Sequence, residues 1–219
     1  MLTYSDPYAY ETIQRDVIAK LAMYLNKERE EIQNIVIVGA FHGYEIDGFL
    51  ANYPNAQIYA FEPYPEHYNK LLERYKYNQR VVTINKAVSN KVGKVIFHEL
   101  TAAGSGSLLE FIDDGYNRIS NSIEVDCTTI DEEFPDMKIA LLWVDTQGTE
   151  LDVLKGANLK NVDTLFLEVT LRTGKIAYKN NTLLDELEDY LKPTHSIASI
   201  GLDNESNNGT GNSFWMRIW

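Results

Sequence analysis

Three acidic residues each come directly after a run of mostly apolar residues. They are Glu62, Asp145 and Glu168, which follow the runs 58–61, 139–144 and 164–167. Ligands bind at the carboxyl ends of the strands in open α/β sheets. A carboxylate there can accept hydrogen bonds from hydroxyl groups, remove a proton from a reacting hydroxyl, or hold a cation. The sequence therefore predicts a ligand site at these three strand ends.

A glycine turn ahead of Glu62 indicates which ligand the site binds. The β-branched run 35–38 ends at Gly39, and Gly43 follows four residues later. We expect these glycines to let the backbone approach a ligand closely. Strand, glycine turn, helix, strand and carboxylate is the order of a nucleoside-binding unit, in which Glu62 accepts both ribose hydroxyls. A plain strand-to-helix turn is the alternative, which the spacing of Glu62 disfavours.

Phe41 narrows the choice of nucleoside. Dinucleotide-binding turns carry a middle glycine that makes room for a pyrophosphate, and Phe41 occupies that place here. A ligand without phosphates, such as S-adenosylmethionine, is therefore favoured over NAD, and an NAD-dependent oxidoreductase is disfavoured. We expect Tyr64 either to lie against the adenine ring or to pack as an ordinary surface residue.

If the ligand is S-adenosylmethionine and its methyl group goes to a hydroxyl, the site needs a base or a metal that removes the hydroxyl proton. Asp145 can be that base, can hold the amino group of the donor, or can cap the helix that starts near Thr149. If strand 139–144 is central, Asp145 and Glu168 end neighbouring strands and can bind Mg²⁺ or Mn²⁺. No His or Asp at ligand spacing accompanies them, so the sequence does not decide whether this pair binds a metal ion.

Other polar residues have a structural alternative beside each functional role. His42 is a candidate base, because histidine titrates near neutral pH, or a turn residue that bonds the backbone. Ser105 and Ser107 either line a substrate pocket or belong to a small-residue loop. Structural roles are predicted for His98, His195 and Trp143.

Apolar periodicity predicts alternating helices and strands. Predicted helices cover residues 7–26, a stretch from near Tyr44, 66–77, 150–154 and 183–191. Predicted strands cover 35–38, 57–61, 81–84, 139–144, 164–167, 195–200 and 213–218. The last two strands are joined by the polar loop 201–212, which leaves no room for a crossover helix, so they must pair as a hairpin.

Segments 94–99 and 122–127 alternate like half-exposed strands around the loop 102–107. We read them as a small antiparallel insertion beside a mostly parallel, doubly wound α/β sheet of seven strands. The 219 residues then form one domain, with residues 1–30 as an N-terminal helical cover and 34–219 as a Rossmann-like core. The cover is expected to act as a lid over the donor.

Composition restricts the partners. The formal net charge of −12 disfavours nucleic acid, whose binding depends on Lys and Arg meeting phosphates, and disfavours anionic membranes. Cys127 is the only cysteine, so intramolecular disulfides are impossible, and no secretory signal or membrane span is visible. We expect a cytoplasmic protein with a small-molecule or glycan acceptor; the sequence does not specify the oligomeric state.

Eight segments in this order resemble the FkbM-type family of S-adenosylmethionine-dependent methyltransferases over roughly residues 34 to 170. They are Val38–Tyr44, Ala60–Pro63, Asn85–Ser89, Gly104–Leu108, Thr129–Asp131, Trp143–Glu150, Val153–Ala157 and Leu167–Val169. The resemblance implies the class I methyltransferase fold and methyl transfer, usually to a hydroxyl of a sugar or similar small molecule. A non-catalytic binding or assembly module that keeps this fold is the alternative.

Site residues follow from the residues and the resemblance together. The expected donor-binding residues are Gly39, Ala40, Phe41, His42, Gly43, Glu62, Pro63, Tyr64, Ala87 and Asp145. The expected catalytic residues are Asp145, His42 and Glu168. The sequence departs from the family pattern at Ile37, usually Asp, at Phe41, usually Asn, and at Gln147, usually Glu. Because Ile37 removes an acceptor for the donor's ammonium group, we expect either weaker donor binding or replacement of that acceptor by Glu45 or Asp145.

Overall fold

The computed structural model describes residues 9–112, 115–174, 176–202 and 209–218, with side chains from Ile13 onwards. The strands are β1 Asn34–Val38, β2 Gln57–Phe61, β3 Val81–Ile84, β4 Ala87–Val88, β5 Gly93–Leu100, β6 Ile119–Thr128, β7 Leu141–Val144, β8 Thr164–Thr170, β9 His195–Leu202 and β10 Thr210–Arg217. The α-helices are α1 Ala9–Tyr24, α2 Ile46–Asn52, α3 Pro65–Tyr75, α4 Ile130–Glu133, α5 Glu150–Lys155 and α6 Leu184–Leu191.

Seven strands form one sheet in the order β3-β2-β1-β7-β8-β10-β9. The strands from β3 to β8 pair in parallel, and β10 runs antiparallel to both β8 and β9. The predicted mostly parallel sheet with a C-terminal antiparallel hairpin is therefore confirmed.

A second, three-stranded sheet has the order β4-β6-β5. β5 and β6 pair antiparallel, as predicted, while the short strand β4 pairs in parallel with β6. β4 was not predicted, because two residues are too few for a periodic pattern. It ties the insertion to the chain segment that leaves β3.

The central strands of the large sheet contribute alternate side chains to two cores, as the pleat of a strand requires. Ile35 and Ile37 of β1 join the core under α1, α2 and α3, whereas Val36 and Val38 join the core under α5 and α6. Helices on both faces make the sheet doubly wound. Ile37 is fully buried, so this departure from the family pattern is accommodated by packing.

Several boundaries differ from the predicted ones. β8 continues to Thr170, so Glu168 lies within the strand rather than after its end. β7 begins at Leu141, two residues after the predicted start of this strand. Ile139 pairs with Val162 in an isolated bridge outside β7. Helix α2 begins at Ile46, two residues after the predicted start. Residues 1–8 and 203–208, parts of the predicted helix and hairpin loop, lie outside the described residues.

Within the described ranges, no helix is both long and apolar enough to cross a membrane.

Candidate active site

The two glycines of the turn are required by the protein's own packing. Gly39 has φ +83°, and a Cβ there would lie 1.9 Å from the carbonyl oxygen of Asp145. Gly43 has φ +70°, and its Cβ would lie 2.8 Å from the side chains of Ile46, Leu71 and Tyr75. A side chain fits at neither position. Gly39 therefore brings the end of β1 against Asp145. For Gly43 the packing of the neighbouring side chains already requires a glycine, and its role in donor binding stays a prediction.

Glu62 follows β2 and is buried, with 4% of its surface exposed. Its Oε2 accepts the N–H of Phe41 at 2.9 Å, and its Oε1 accepts the N–H of Tyr64 at 2.8 Å. Burial raises the pKa of Glu62 to about 7, while these two N–H groups act to lower it. Each oxygen keeps a lone pair for a further donor. The contact also holds Phe41 at φ +46°, a conformation uncommon for a residue with a side chain.

A pocket opens beside Glu62, and we call it the Glu62 pocket. Its lining comprises Val38, Gly39, Phe41, Glu62, Pro63, His67, Lys86, Ala87, Val88, Phe97, Glu99, Gly104, Gly106, Leu108, Asp145, Thr146, Gln147 and Thr149. Six of the predicted donor-binding residues are among these. They are Gly39, Phe41, Glu62, Pro63, Ala87 and Asp145.

A second pocket, the α1 pocket, lies under the N-terminal helix. Its lining comprises Gln14, Arg15, Ile18, Gly39, Ala40, Phe41, Tyr44, Glu45, Gly104, Trp143 and Asp145. Gly39, Phe41, Gly104 and Asp145 belong to both pockets, so the two adjoin. Glu45 is partly buried, and desolvation raises its pKa to about 7, with a smaller contribution from the charge of Asp145. The α1 pocket thus offers carboxyl groups and the guanidinium of Arg15.

The third pocket, the Glu168 pocket, lies on the other side of Gln147. Its lining comprises Leu100, Ser105, Phe111, Ile112, Asn117, Gln147, Gly148, Glu168, Thr170, Ala177, Tyr178, Asn181 and Thr210. Gln147 also lines the Glu62 pocket, so it separates the two spaces. Among the described lining residues, Glu168 is the only charged one.

Asp145 and Glu168 come together, as predicted, because β7 and β8 are paired neighbours. The side-chain amide of Gln147 donates to both carboxyl groups, at 2.7 Å to Asp145 and 2.8 Å to Glu168. Burial raises the pKa of Glu168 well above its ordinary value, and the charges of Asp145 and Glu150 raise it further. Burial also raises the pKa of Asp145, against the lowering effect of hydrogen bonds with Gln147 and Glu168. Two carboxyl groups this close favour holding a proton between them.

Hydrogen bonds from Glu150 and Ser107 hold the backbone of the loop that carries Gln147. Oε1 of the buried Glu150 accepts the backbone N–H groups of Thr146, at 3.0 Å, and Gly148, at 3.1 Å. The hydroxyl of Ser107 donates to the carbonyl of Gln147 at 2.8 Å. Gln147 itself has φ +56°. These contacts hold its side-chain amide between the two acids, so Asp145 and Glu168 are positioned as a unit.

His42 lies apart from that pair. Its ring stacks on Phe41, with centroids 3.7 Å apart, and its nitrogens contact the hydroxyl of Tyr44 and Nδ1 of His67, both at 3.3 Å. It lines none of the three pockets. Burial lowers its pKa, and the charge of His67 adds to this. The structure therefore places this candidate base against α3 rather than against Asp145.

Of the remaining residues considered from the sequence, some line a pocket and others have only packing or hydrogen-bonding contacts within the protein. Tyr64 packs against His67 and Phe97 and lines none of the three pockets. Ser105 lines the Glu168 pocket. Ser107, buried, braces Gln147 instead. Structural positions are found for Trp143, which stacks on Phe166 at 3.6 Å, for His195, which contacts the carbonyl of Val162, and for His98, which contacts Ser122.

A metal at the carboxyl pair stays a prediction. In the described residues, no cluster of three or more His, Cys, Asp or Glu side chains is arranged to hold a metal ion. The oxygens of Asp145 and Glu168 that face each other both accept the amide of Gln147.

Four residues of the site carried little or no signal in the sequence. Gln147 was noticed only as a variant of a motif, and its amide bridge depends on β7 and β8 being neighbours. Glu45 was considered only as a substitute for the missing acid. Glu99 and His67 gave no signal, because an acid in an alternating strand and a histidine in a helix are usually solvent-facing.

The site fits an adenosyl donor. Glu62 offers lone pairs for a ribose diol, the Glu62 pocket has apolar walls at Ala87, Val88 and Leu108, and the adjoining α1 pocket has charges of both signs. A doubly wound sheet ending in an antiparallel hairpin, with this site at the carboxyl ends of its strands, defines a class I methyltransferase. The sequence model described as "Methyltransferase FkbM domain" matches residues 38–196, and the chain belongs to that family. S-adenosylmethionine is therefore its cofactor, which confirms the prediction.

Several known methyltransferases are similar to this chain in sequence or in fold. The 2-O-methyltransferase NoeI of Sinorhizobium fredii strain NGR234 is 26% identical over 180 residues, which cover 76% of this chain and 74% of that protein. A putative methyltransferase from Streptococcus mutans, solved with S-adenosylhomocysteine, has a TM-score of 0.56, 12% identity and full coverage of both chains. Fibrillarin from Aeropyrum pernix, solved with S-adenosylmethionine, has a TM-score of 0.53 and 11% identity over 96% of this chain and 76% of that one. At such identities the solved structures show the fold alone.

Proposed function

We propose that the protein transfers a methyl group from S-adenosylmethionine to a hydroxyl of a carbohydrate or another small molecule. The observation that carries the proposal is the position of the carboxyl pair. Asp145 lines the two donor-side pockets, Glu168 lines the third pocket, and Gln147 joins them. A base is thereby offered at the boundary between donor and acceptor.

The donor is assigned across the first two pockets. Glu62 receives the ribose hydroxyls, and the α1 pocket receives the amino-acid part. There Glu45 and Asp145 face the ammonium group and Arg15 faces the carboxylate. Glu45 thus replaces the acid that the family has at the position of Ile37. Phe41, which lines both pockets, lies where the two parts of the donor join.

The reaction proposed is an in-line displacement. Bound S-adenosylmethionine supplies a methyl group activated by its sulfonium. Glu168 orients the acceptor hydroxyl from its own pocket, and the carboxyl pair takes up the hydroxyl proton as the oxygen–carbon bond forms. The electron pair of the broken carbon–sulfur bond stays on sulfur. Because burial raises the pKa values of both acids, their deprotonated form is a stronger base than an ordinary carboxylate.

The Glu168 pocket favours a neutral, hydroxyl-bearing acceptor. Asn117, Asn181 and Thr170 provide uncharged hydrogen-bonding groups, and Phe111 and Tyr178 provide aromatic surface. No Lys or Arg occurs among its described lining residues to pair with a phosphate. The net charge of −12 also disfavours a nucleic-acid acceptor. The name of NoeI, a 2-O-methyltransferase, supports a hydroxyl acceptor. A cytoplasmic location and a single domain remain part of the proposal.

The test combines donor binding with turnover. Calorimetry is expected to show that the protein binds S-adenosylhomocysteine, and a panel of sugars and small alcohols is expected to contain a methylated product. Glu168→Gln is expected to bind the donor product normally and to lose turnover by about 10²–10⁴-fold, the usual contribution of a general base. Glu188→Gln, an exposed acid on α6, is the matched control.

The outcomes separate the alternatives. Absence of binding at millimolar S-adenosylhomocysteine contradicts the proposal. Binding without methyl transfer to any acceptor favours the non-catalytic module. His42 remains a predicted base only if His42→Gln loses turnover while Glu168→Gln keeps it.

A further inference from the structure

Glu99 is a buried acid with one oxygen that has no partner. It lies on β5, and 6% of its surface is exposed. Oε1 contacts Nε2 of His67 at 3.0 Å, whereas Oε2 has no hydrogen-bond partner. A buried carboxylate oxygen left without a donor costs free energy, because its hydration is not replaced. The residue lines the Glu62 pocket, so this buried oxygen belongs to the wall of that pocket.

A chain of hydrogen bonds fixes the orientation of the carboxyl group. The hydroxyl of Tyr44 and Nδ1 of His42 are 3.3 Å apart, as are Nε2 of His42 and Nδ1 of His67. With both histidines neutral and protonated on Nε2, Tyr44 donates to His42, His42 to His67, and His67 to Oε1 of Glu99. Each ring nitrogen is used once. Oε2 of Glu99 is therefore the one acceptor of its carboxyl group that these hydrogen bonds do not use.

Gly106 keeps the space next to that buried acceptor free of a side chain. A Cβ at Gly106 would lie 2.7 Å from Oε2 of Glu99 and 2.5 Å from the ring of Phe97. Gly106 also lines the Glu62 pocket. A side chain at this position would take the space in which Oε2 meets the pocket.

From the free oxygen, the orienting chain and the open position at Gly106, we infer that Glu99 is a second acidic residue that recognises the nucleoside part of the donor. It accepts a hydrogen bond from a donor group of adenosine, either a ribose hydroxyl or the 6-amino group. The role rests on the proposed function, because it assumes that the nucleoside occupies the Glu62 pocket. His67, His42 and Tyr44 act through Glu99 as positioning residues.

The first experiment is titration calorimetry of Glu99→Leu with S-adenosylhomocysteine. Leucine removes the acceptor and keeps much of the volume, so we expect affinity to fall by at least about tenfold, the loss of one charged hydrogen bond. The midpoint of thermal unfolding without ligand is expected to fall, because Nε2 of the buried His67 loses its partner, and removal of the unpartnered Oε2 offsets part of that loss. Glu124→Leu, an exposed acid on the neighbouring strand β6, is the control and should change neither value.

The second experiment compares the unaltered protein with Glu99→Leu, and its first half, on the unaltered protein, does not depend on the variant folding. Analogues of S-adenosylhomocysteine lacking the 2′-hydroxyl, the 3′-hydroxyl or the 6-amino group are titrated into both proteins. The analogue that lacks the group bound by Glu99 should bind weakly to the unaltered protein and lose no further affinity in Glu99→Leu. That pattern identifies the group.

Two results overturn the inference, and they are distinguishable. If the unaltered protein binds S-adenosylhomocysteine and Glu99→Leu binds it within twofold, Glu99 has no role in recognition, and the proposed function stands. If the unaltered protein does not bind S-adenosylhomocysteine, the proposed function fails and this role fails with it.

Discussion

Glu62 shows how a single acid can organise a binding site before any ligand is present. Its two oxygens hold the backbone of Phe41 and Tyr64, which lie on different segments. Asn85 holds the carbonyl of Glu62 itself at 2.8 Å. The side chain is thus fixed in one orientation, and its remaining lone pairs point in set directions. A preorganised acceptor loses less entropy when the donor binds.

Replacing Glu62 with alanine is expected to weaken binding of S-adenosylhomocysteine by about 1–3 kcal/mol, the cost of leaving polar groups unpaired. The N–H of Phe41 also loses its partner, which loosens the turn between the donor pockets. Calorimetry measures the change, and Glu66→Ala, an exposed acid on α3, is the control. Unchanged affinity would mean that the ribose lies elsewhere.

Asp145→Asn is expected to reduce kcat by at least about 100-fold, because the pair then cannot share and accept a proton as two acids do. The amide keeps the size of the side chain, so the packing against Gly39 should persist. Steady-state kinetics with the acceptor found above provide the measurement, and Asp136→Asn, exposed before β7, is the control. A variant of normal speed would remove Asp145 from catalysis.

Sequence could predict those site residues whose position is fixed by the strand that directly precedes them. Glu62 and Asp145 come directly after buried strands, and that pattern is visible in one dimension. The amide bridge of Gln147 and the contact between His67 and Glu99 are different, because each joins residues more than twenty positions apart. Their geometry depends on strand order and side-chain rotamers, which hydrophobic periodicity does not encode.

At the scale of elements, α1 joins the donor site to the hairpin. Ile13, Val17 and Leu21 are buried in the core on one side of the sheet, and the helix packs on β9 and β10. Gln14 and Arg15 on the same helix line the α1 pocket. A helix that is anchored by its apolar face and offers polar groups to a pocket is suited to the role of lid.

Arg15→Gln tests whether α1 contacts the donor. We expect affinity for S-adenosylhomocysteine to fall about two- to fivefold, the value of one exposed ion pair with the amino-acid carboxylate. Affinity for 5′-methylthioadenosine, which lacks that carboxylate, should not change. Lys20→Gln, in the same helix and paired with Asp16, is the control. Equal losses for both ligands would place Arg15 away from the amino-acid part.

The elements themselves were largely predictable. The strands of the large sheet have β-branched, apolar sequences, and the short loop between the last two strands required a hairpin. The end of β8 was missed because an acid normally stops a buried strand, whereas Glu168 continues one by facing the carboxyl site. The order of the strands in the sheet depends on tertiary packing. The family resemblance implied that order, whereas hydrophobic periodicity carries no information about it.

At the scale of the whole molecule, buried acids make stability depend on pH. Burial raises the pKa values of Glu45, Glu62 and Glu150 to about 7. In the unfolded chain these groups ionise near their ordinary values, so the folded protein binds more protons between those values and pH 7. The free energy of unfolding therefore falls as the pH rises through this interval.

We expect the free energy of unfolding without ligand to be lower at pH 8 than at pH 5.5 by at least about 2 kcal/mol. His195 opposes the trend, because burial lowers its pKa to about 4 and its contribution is lost as the pH falls below 6.5. One histidine against three acids leaves the sign unchanged. Urea unfolding at the two pH values gives the difference, and Glu150→Gln should reduce it. Stability that rises with pH would contradict the assignment.

The position of β10 has a consequence for how the chain acquires its fold during translation. β10 follows β9 in the chain, yet it lies between β8 and β9, so in the described sheet β9 has no neighbouring strand until β10 has been made. Helix α1 precedes every strand and packs on both β9 and β10. During synthesis, α1 can therefore pack early on α2, but its packing on the hairpin is completed only after β10 has been made.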